Sequence, residues 1–164
     1  MKSYLKADWD SKLPIYKISQ SKLIKDGISC ILLDVDGTLL SRSSSTTPKK
    51  VRKWIENSKQ FFNLYLVSNN PSQKRIAKVG QELGLSYKYK ALKPSKKITS
   101  EIINLFNVEN KKIAIIGDRI FTDIFVGNRC RINTILVRKL NRKGCPINFD
   151  LTLLFERFIS LLIV

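Results

Sequence analysis

From about Ile28 onward, short apolar runs alternate with stretches in which apolar residues recur every three or four positions, the pattern of a parallel sheet flanked by helices. The first run, residues 30–33, ends at Asp34. Thr47 is placed to cap a helix that has Pro48 in its first turn, with Val51, Trp54 and Ile55 as its apolar stripe. A second strand over 64–67 ends at Ser68; Asn70 and Pro71 then open a helix whose stripe is Ile76, Val79 and Leu83 and which Gly84 closes. A short third strand is predicted over 87–90, followed by a helix capped by Ser95 that carries Ile98, Ile102, Leu105 and Phe106 on one face. The continuous branched run 113–116 reads as a buried strand ending at Gly117 and Asp118, and 134–137 as the fifth.

The pattern divides the chain into three parts. Residues 1–27 read as an irregular arm packed on the domain, with a one- or two-turn helix near Leu23 stopped by Gly27. Residues 28–142 form the α/β domain, and 143–164 an apolar helix in which Leu151, Leu154, Phe155, Phe158 and Leu162 recur at helical spacing. Asp150, Glu156 and Arg157 interrupt that helix, so it falls short of the eighteen or so apolar residues a membrane span requires. It is expected either to lie in a membrane interface, aided by anionic lipid, or to pack on its own domain or a second copy.

Composition narrows the function classes. With 164 residues, 43% of them apolar, the chain suits one domain with a substantial core. Thirty Lys and Arg against 13 acidic residues give a net charge of +17, which favours polyanionic partners: phosphorylated substrates, anionic lipid or nucleic acid. The excess is spread along the chain and reads first as a solvated basic surface, with a nucleic-acid groove second. Three scattered cysteines and no histidine argue against a structural zinc site or a disulfide framework. Residues 1–9 hold no apolar core of signal-peptide length, so a cytoplasmic location is expected, with contact at the inner face of the membrane as its variant.

In an open parallel sheet, ligands bind beyond the carboxyl ends of the strands. Four of the five predicted strands deliver reactive groups there: Asp34 with Asp36, Ser68 with Asn69, Lys93, and Asp118 with Asp123. Each has a task if the reaction is phosphoryl transfer from an ester. Asp34 can attack phosphorus to form an aspartyl-phosphate, and Asp36, two residues on, can protonate the leaving oxygen and then activate water. Gly37 permits a sharp turn, and Thr38 brings a hydroxyl and an amide toward the phosphate. Magnesium prefers oxygen ligands, which Asp34, the backbone carbonyl of Asp36 and Asp118 would provide, with Asp123 holding the shell. Ser68, Asn69 and the Lys93 ammonium would bind phosphate oxygens. A calcium loop is a poor fit to Asp34–Gly37, because Ser45 stands where that loop needs its terminal Glu.

These residues resemble the four motifs of the haloacid dehalogenase (HAD) superfamily. Asp34-Val35-Asp36-Gly37-Thr38 resembles motif one, Ser68 motif two, Lys93 motif three, and Gly117-Asp118 through Thr122-Asp123 motif four. The resemblance implies a Rossmann-like three-layer sandwich with a five-stranded parallel sheet in the order 5-4-1-2-3. Val67-Ser68-Asn69-Asn70, Lys93-Pro94 and Gly117 to Asp123 are similar to the YqeG-like phosphatases of subclass IIIA, whose organellar relatives are phosphatidylglycerophosphate phosphatases. Gly37 departs from the Asn or Asp that many YqeG-like proteins carry.

HAD enzymes for small metabolites usually insert a cap domain after motif one or between motifs two and three, and neither gap has room for one here. The resemblance and the open site together imply a magnesium-dependent phosphatase acting on a phosphate presented by a larger object, phosphatidylglycerophosphate first. The alternatives are a phosphatase for nucleic-acid ends, sugar phosphates or phosphoproteins, and an idle fold that binds RNA or the ribosome.

Overall fold

The computed structural model describes residues 4–162. Six parallel strands form one sheet: β1 Trp9–Asp10, β2 Cys30–Leu33, β3 Asn63–Val67, β4 Ser86–Lys88, β5 Ile113–Gly117 and β6 Asn133–Leu136, in the order β1-β6-β5-β2-β3-β4. Helices α1 Gln20–Lys25, α2 Lys49–Ser58, α3 Gln73–Leu83, α4 Lys96–Phe106, α5 Phe125–Arg129 and α6 Leu151–Leu162 connect or flank them. Five of the strands have the expected order; the sixth, β1, corrects the five-stranded expectation. It comes from the arm read as irregular and pairs at the sheet edge, Trp9 opposite Ile135 and Asp10 opposite Leu136. A two-residue strand is too short to show a period, and long-range polar contacts fix it: the Asp8 carboxylate accepts from the Thr134 amide and hydroxyl at 3.0 and 2.9 Å.

Strand alternation explains why the strands read as continuous apolar runs. Ile31 and Leu33 face one layer with α2 and α3, where Val51, Ile55, Ile76 and Leu83 are buried, while Cys30 and Leu32 face the other with α4 and α5. Both faces are covered, so every position of β2 and β5 is buried. The arm contributes Ile15, Ile18 and Leu23 to the first layer, and the Trp54 indole donates to the Ile18 carbonyl at 2.9 Å.

Some local expectations need correction. Thr47 does not cap α2, which starts after Pro48; its amide and hydroxyl instead meet the Glu82 carboxylate of α3, so Thr47 ties two helices together. Ser72, accepting from the Arg75 amide, caps α3 in place of Asn70. In α4 the buried side is Thr99, Ile102 and Ile103, and Leu105 points outward at 73% exposure. Gly84 does close α3, in the left-handed conformation with φ +59°.

Among the described residues no cap interrupts the fold: Thr38 leads through one loop, α2 and β3 to Ser68, and Asn70 through α3 and β4 toward Lys93. No described helix is long and apolar enough to cross a membrane. Helix α6 docks on the domain through its charged side. Glu156, 1% exposed, accepts from Arg119 and from the Ile120 amide, and Arg157 pairs with Asp10 at 2.7 Å. The charges that interrupt its apolar stripe are thus the groups that hold it, and the stripe faces outward.

Candidate active site

The site begins where β2 ends. Asp34 continues the ladder by one bond, its amide donating to the Ile116 carbonyl at 3.0 Å, and the chain then turns back on itself. The turn requires Gly37: φ is +98°, and a β-carbon there would lie 2.5 Å from Asp118 Oδ2. The absence of a side chain lets the loops after β2 and β5 close on each other. Thr38, fully buried, donates toward Asp34 and Asp118, each at 3.1 Å, and so joins the two loops.

After β5 the chain forms a wide π-helical turn, Ile120–Ile124, with the Ile124 amide reaching the Arg119 carbonyl at 3.2 Å. That turn brings Asp123 back beneath Asp118, packed on Gly117, with Asp123 Oδ2 accepting from the Arg119 amide. Asp34, Asp118 and Asp123 each offer a carboxylate oxygen within 4.8 Å of the others, close enough to share one cation.

Lys93 enters from the loop after β4. Its Nζ donates to Asp34 at 2.7 Å, Asp123 at 2.6 Å and the Val67 carbonyl at 2.7 Å, so all three donors are used. The Asn69 side-chain amide pairs with both backbone groups of Lys93, at 2.8 and 2.7 Å, and fixes that loop. Ser68, 1% exposed, lines the cleft and accepts from the Asn70 amide.

Asp34 and Asp123 share the Lys93 ammonium, Asp118 stands beside them without it, and the acidities of Asp34 and Asp118 respond. Burial raises the Asp34 carboxyl from 3.8 to about 6, against the lowering pull of Lys93. Asp118 is raised well above the usual range, first by burial and then by the charges of Asp34 and Asp123. Burial alone would lower Lys93, but the two carboxylates beside it outweigh that and raise it. The cluster has a surplus of buried negative charge and an all-oxygen donor set, which fits a hard divalent cation.

Asp36 points away from that cluster. Its carboxylate is held by Arg75 of α3, through Nε at 3.1 Å and Nη2 at 2.7 Å, and by Asn70 Nδ2 at 2.6 Å. Arg75 also donates to the Ser41 and Ser44 carbonyls, anchoring the loop that follows motif one. Sequence reasoning missed this clamp, because Arg75 sits on a helix face whose period marks it only as polar. Asn70 does two jobs, its Oδ1 accepting from the Ser72 amide while its Nδ2 binds Asp36.

The cleft holds about 200 Å³, and Arg42, Arg119 and Lys139 line it along with the acidic and phosphate-facing groups. These cations went unassigned in the sequence, where each was one basic residue among many. They give an acidic floor a basic rim, suited to a phosphate ester.

Residues 8–139 match the family described as mitochondrial PGP phosphatase. The chain is 30% identical over 124 residues to the probable phosphatase YqeG of Bacillus subtilis, covering 75% of this chain and 72% of that one. Among solved structures, an uncharacterized protein from Listeria monocytogenes serotype 4b superposes with a TM-score of 0.56 at 19% identity, covering 77% of this chain and 86% of that one. The putative HAD-hydrolase YfnB from Bacillus subtilis, bound to magnesium, gives 0.53 at 16% identity, covering 73% and 90%. At these identities the structural likeness establishes the fold. Family match and relative agree with the acidic cluster: the chain is a YqeG-like phosphatase and belongs to the mitochondrial PGP phosphatase family.

Proposed function

We propose that this phosphatase removes the terminal phosphate of phosphatidylglycerophosphate to leave phosphatidylglycerol, through an aspartyl-phosphate on Asp34. The observation that carries the chemistry is the convergence of Asp34, Asp118, Asp123 and Lys93 in one buried cluster at the floor of an open cleft. The family match over residues 8–139 supports the lipid substrate, and the capless fold leaves room for a head group presented on a membrane.

In the first step an Asp34 oxygen bonds to phosphorus while the ester P–O bond breaks, and Asp36 in its acid form gives its proton to the departing alkoxide. In the second, Asp36 takes a proton from water, whose oxygen attacks phosphorus as the aspartyl P–O bond breaks, releasing inorganic phosphate. Asp34 is buried at the strand end, with an oxygen aimed by Thr38, while Lys93 balances the charge its attack brings together. Asp34, Asp118, Asp123 and the Asp36 carbonyl would hold magnesium, which supplies charge neutralisation at the phosphoryl oxygens. Ser68 and the Asn69 amide line the cleft where phosphoryl oxygens would sit, and Asn69 also keeps Lys93 in register. Asp36 lines the same cleft, and Arg75 and Asn70 set where its carboxylate stands when substrate enters.

The test is parallel turnover of phosphatidylglycerophosphate in mixed micelles, a 3′-phosphorylated oligonucleotide and a panel of sugar phosphates, with magnesium and with chelator. Magnesium-dependent release from the lipid is expected. No release from the lipid with turnover of either other class would overturn the substrate, and equal rates in chelator would overturn the metal.

A further inference from the structure

Helix α6 is inverted relative to an ordinary amphipathic helix. Its charged residues face the domain, Glu156 almost fully buried, while its apolar residues face out: Leu151 is 70% exposed, Phe155 and Phe158 each 60%, and Leu161 77%. Phe149, just ahead of the helix, extends the patch at 68% exposure. A contiguous apolar face of this kind on a chain with a net charge of +17 needs an occupant.

The surroundings identify it. Arg138, Lys139, Arg142 and Lys143 lie on the segment between the active-site mouth and α6. Arg138 donates to the Ile147 carbonyl at 2.6 Å, and Arg142 to Ser43 on the loop beside the cleft at 2.7 Å. Lys139 lines the active-site cleft and also a hollow walled by Leu153 and Leu154 of α6. Arg119 lines the same cleft while its guanidinium holds Glu156. The apolar face, the basic rim and the catalytic mouth are thus one connected surface.

We propose that the outward face of α6 seats in the interface of an anionic lipid bilayer, with the 138–143 basic segment on the head groups, so that the active-site mouth lies against the membrane. A helix of 12 residues is about 18 Å long, well short of a hydrocarbon core of about 30 Å, and fits a position in the interface plane. An anionic surface satisfies both halves of the patch. A second copy of the chain would oppose basic rim to basic rim and meets only the apolar half. This surface rests on the lipid-phosphate reading for its purpose, but its binding can be measured independently.

The experiment uses the full chain and the variant Phe155→Ser/Phe158→Ser, both side chains being exposed and outside the catalytic cleft. Each is sedimented with phosphatidylcholine vesicles with and without a quarter phosphatidylglycerol, and assayed on a soluble phosphate ester, on lipid phosphate in micelles and on lipid phosphate in vesicles. The parent is expected to bind the anionic vesicles and the variant roughly 50-fold more weakly. Turnover in vesicles should fall with binding, while turnover of the soluble ester and of micellar lipid stays unchanged. Equal binding by variant and parent overturns the proposal, as does equal binding to both vesicle types. So does a dimer that the double substitution abolishes together with an absence of vesicle binding, which assigns the face to a second copy. Vesicle binding as expected with no lipid turnover in micelles removes the substrate and leaves the surface standing; micellar lipid turnover without vesicle binding does the reverse.

Discussion

Replacing Asp34 by Asn separates what the site does from what it costs. The carboxyl is raised from 3.8 to about 6 even with Lys93 beside it, so holding it ionised in the fold costs about 3 kcal/mol. Asn keeps the shape of the neutral acid, and Lys93 retains Asp123 and the Val67 carbonyl. In chelator at about pH 7.5, the variant should therefore be more stable than the parent by about 3 kcal/mol, or roughly 6–12 °C in Tm. The sign of the pH dependence follows from the raised value. The folded state favours the protonated acid, so the cost is full above the folded pKa and absent below the unfolded one. As pH falls through about 6 toward 4, the parent regains its stability and the advantage of the variant shrinks to under about 1 kcal/mol. Urea unfolding of both proteins at the two pH values, in chelator and with magnesium, makes the measurement. Magnesium should stabilise the parent more than the variant, because Asn removes one of the three carboxylates. Phosphatase activity of the variant should be lost. A variant less stable than the parent in chelator at neutral pH, or one that still turns over ester at the parental rate, refutes the reasoning.

Three further outcomes are expected. Arg75→Ala releases both Asp36 and the 41–44 loop, and should cost about 2 kcal/mol in urea unfolding and lower kcat/KM roughly 10- to 100-fold; Arg75→Lys should not restore kcat/KM, lacking the planar fork that binds Asp36 through two nitrogens. Gly37→Ala drives a β-carbon into Asp118 from a left-handed backbone, and should cost about 2 kcal/mol together with magnesium affinity, read by unfolding and by calorimetric titration. Glu156→Ala leaves Arg119 and the Ile120 amide without their partner, and should cost about 2 kcal/mol and open the 143–150 segment to protease in a limited-digestion time course.

How much of this was legible beforehand depends on the range of the interaction. The runs at 30–33, 64–67 and 113–116 and the stripes on α2 and α3 could be read because each records which faces of one element are covered, and covering is expressed residue by residue in the local period. The meeting of Asp34, Asp118 and Asp123 was legible for the same reason, since parallel strands with right-handed crossovers deliver their carboxyl ends to one edge. Arg75 on Asp36, Thr47 on Glu82 and Asp8 on Thr134 leave no such trace, because each pairs elements that are distant in sequence and polar at the point of contact.

Helix α6 marks the boundary most clearly. The chain alone pointed to a helix with an apolar stripe within 143–164, because side-chain spacing and backbone propensity are local, and the described helix takes up Leu151–Leu162 of that stretch. Which way that stripe turned was decided only by the fold. A buried Glu156 must keep its partners, and Arg119 and the Ile120 amide exist as a paired site only once β5 and the turn after it are in place, so the ion pair sets the rotation of the helix and the hydrophobic face is left to the outside.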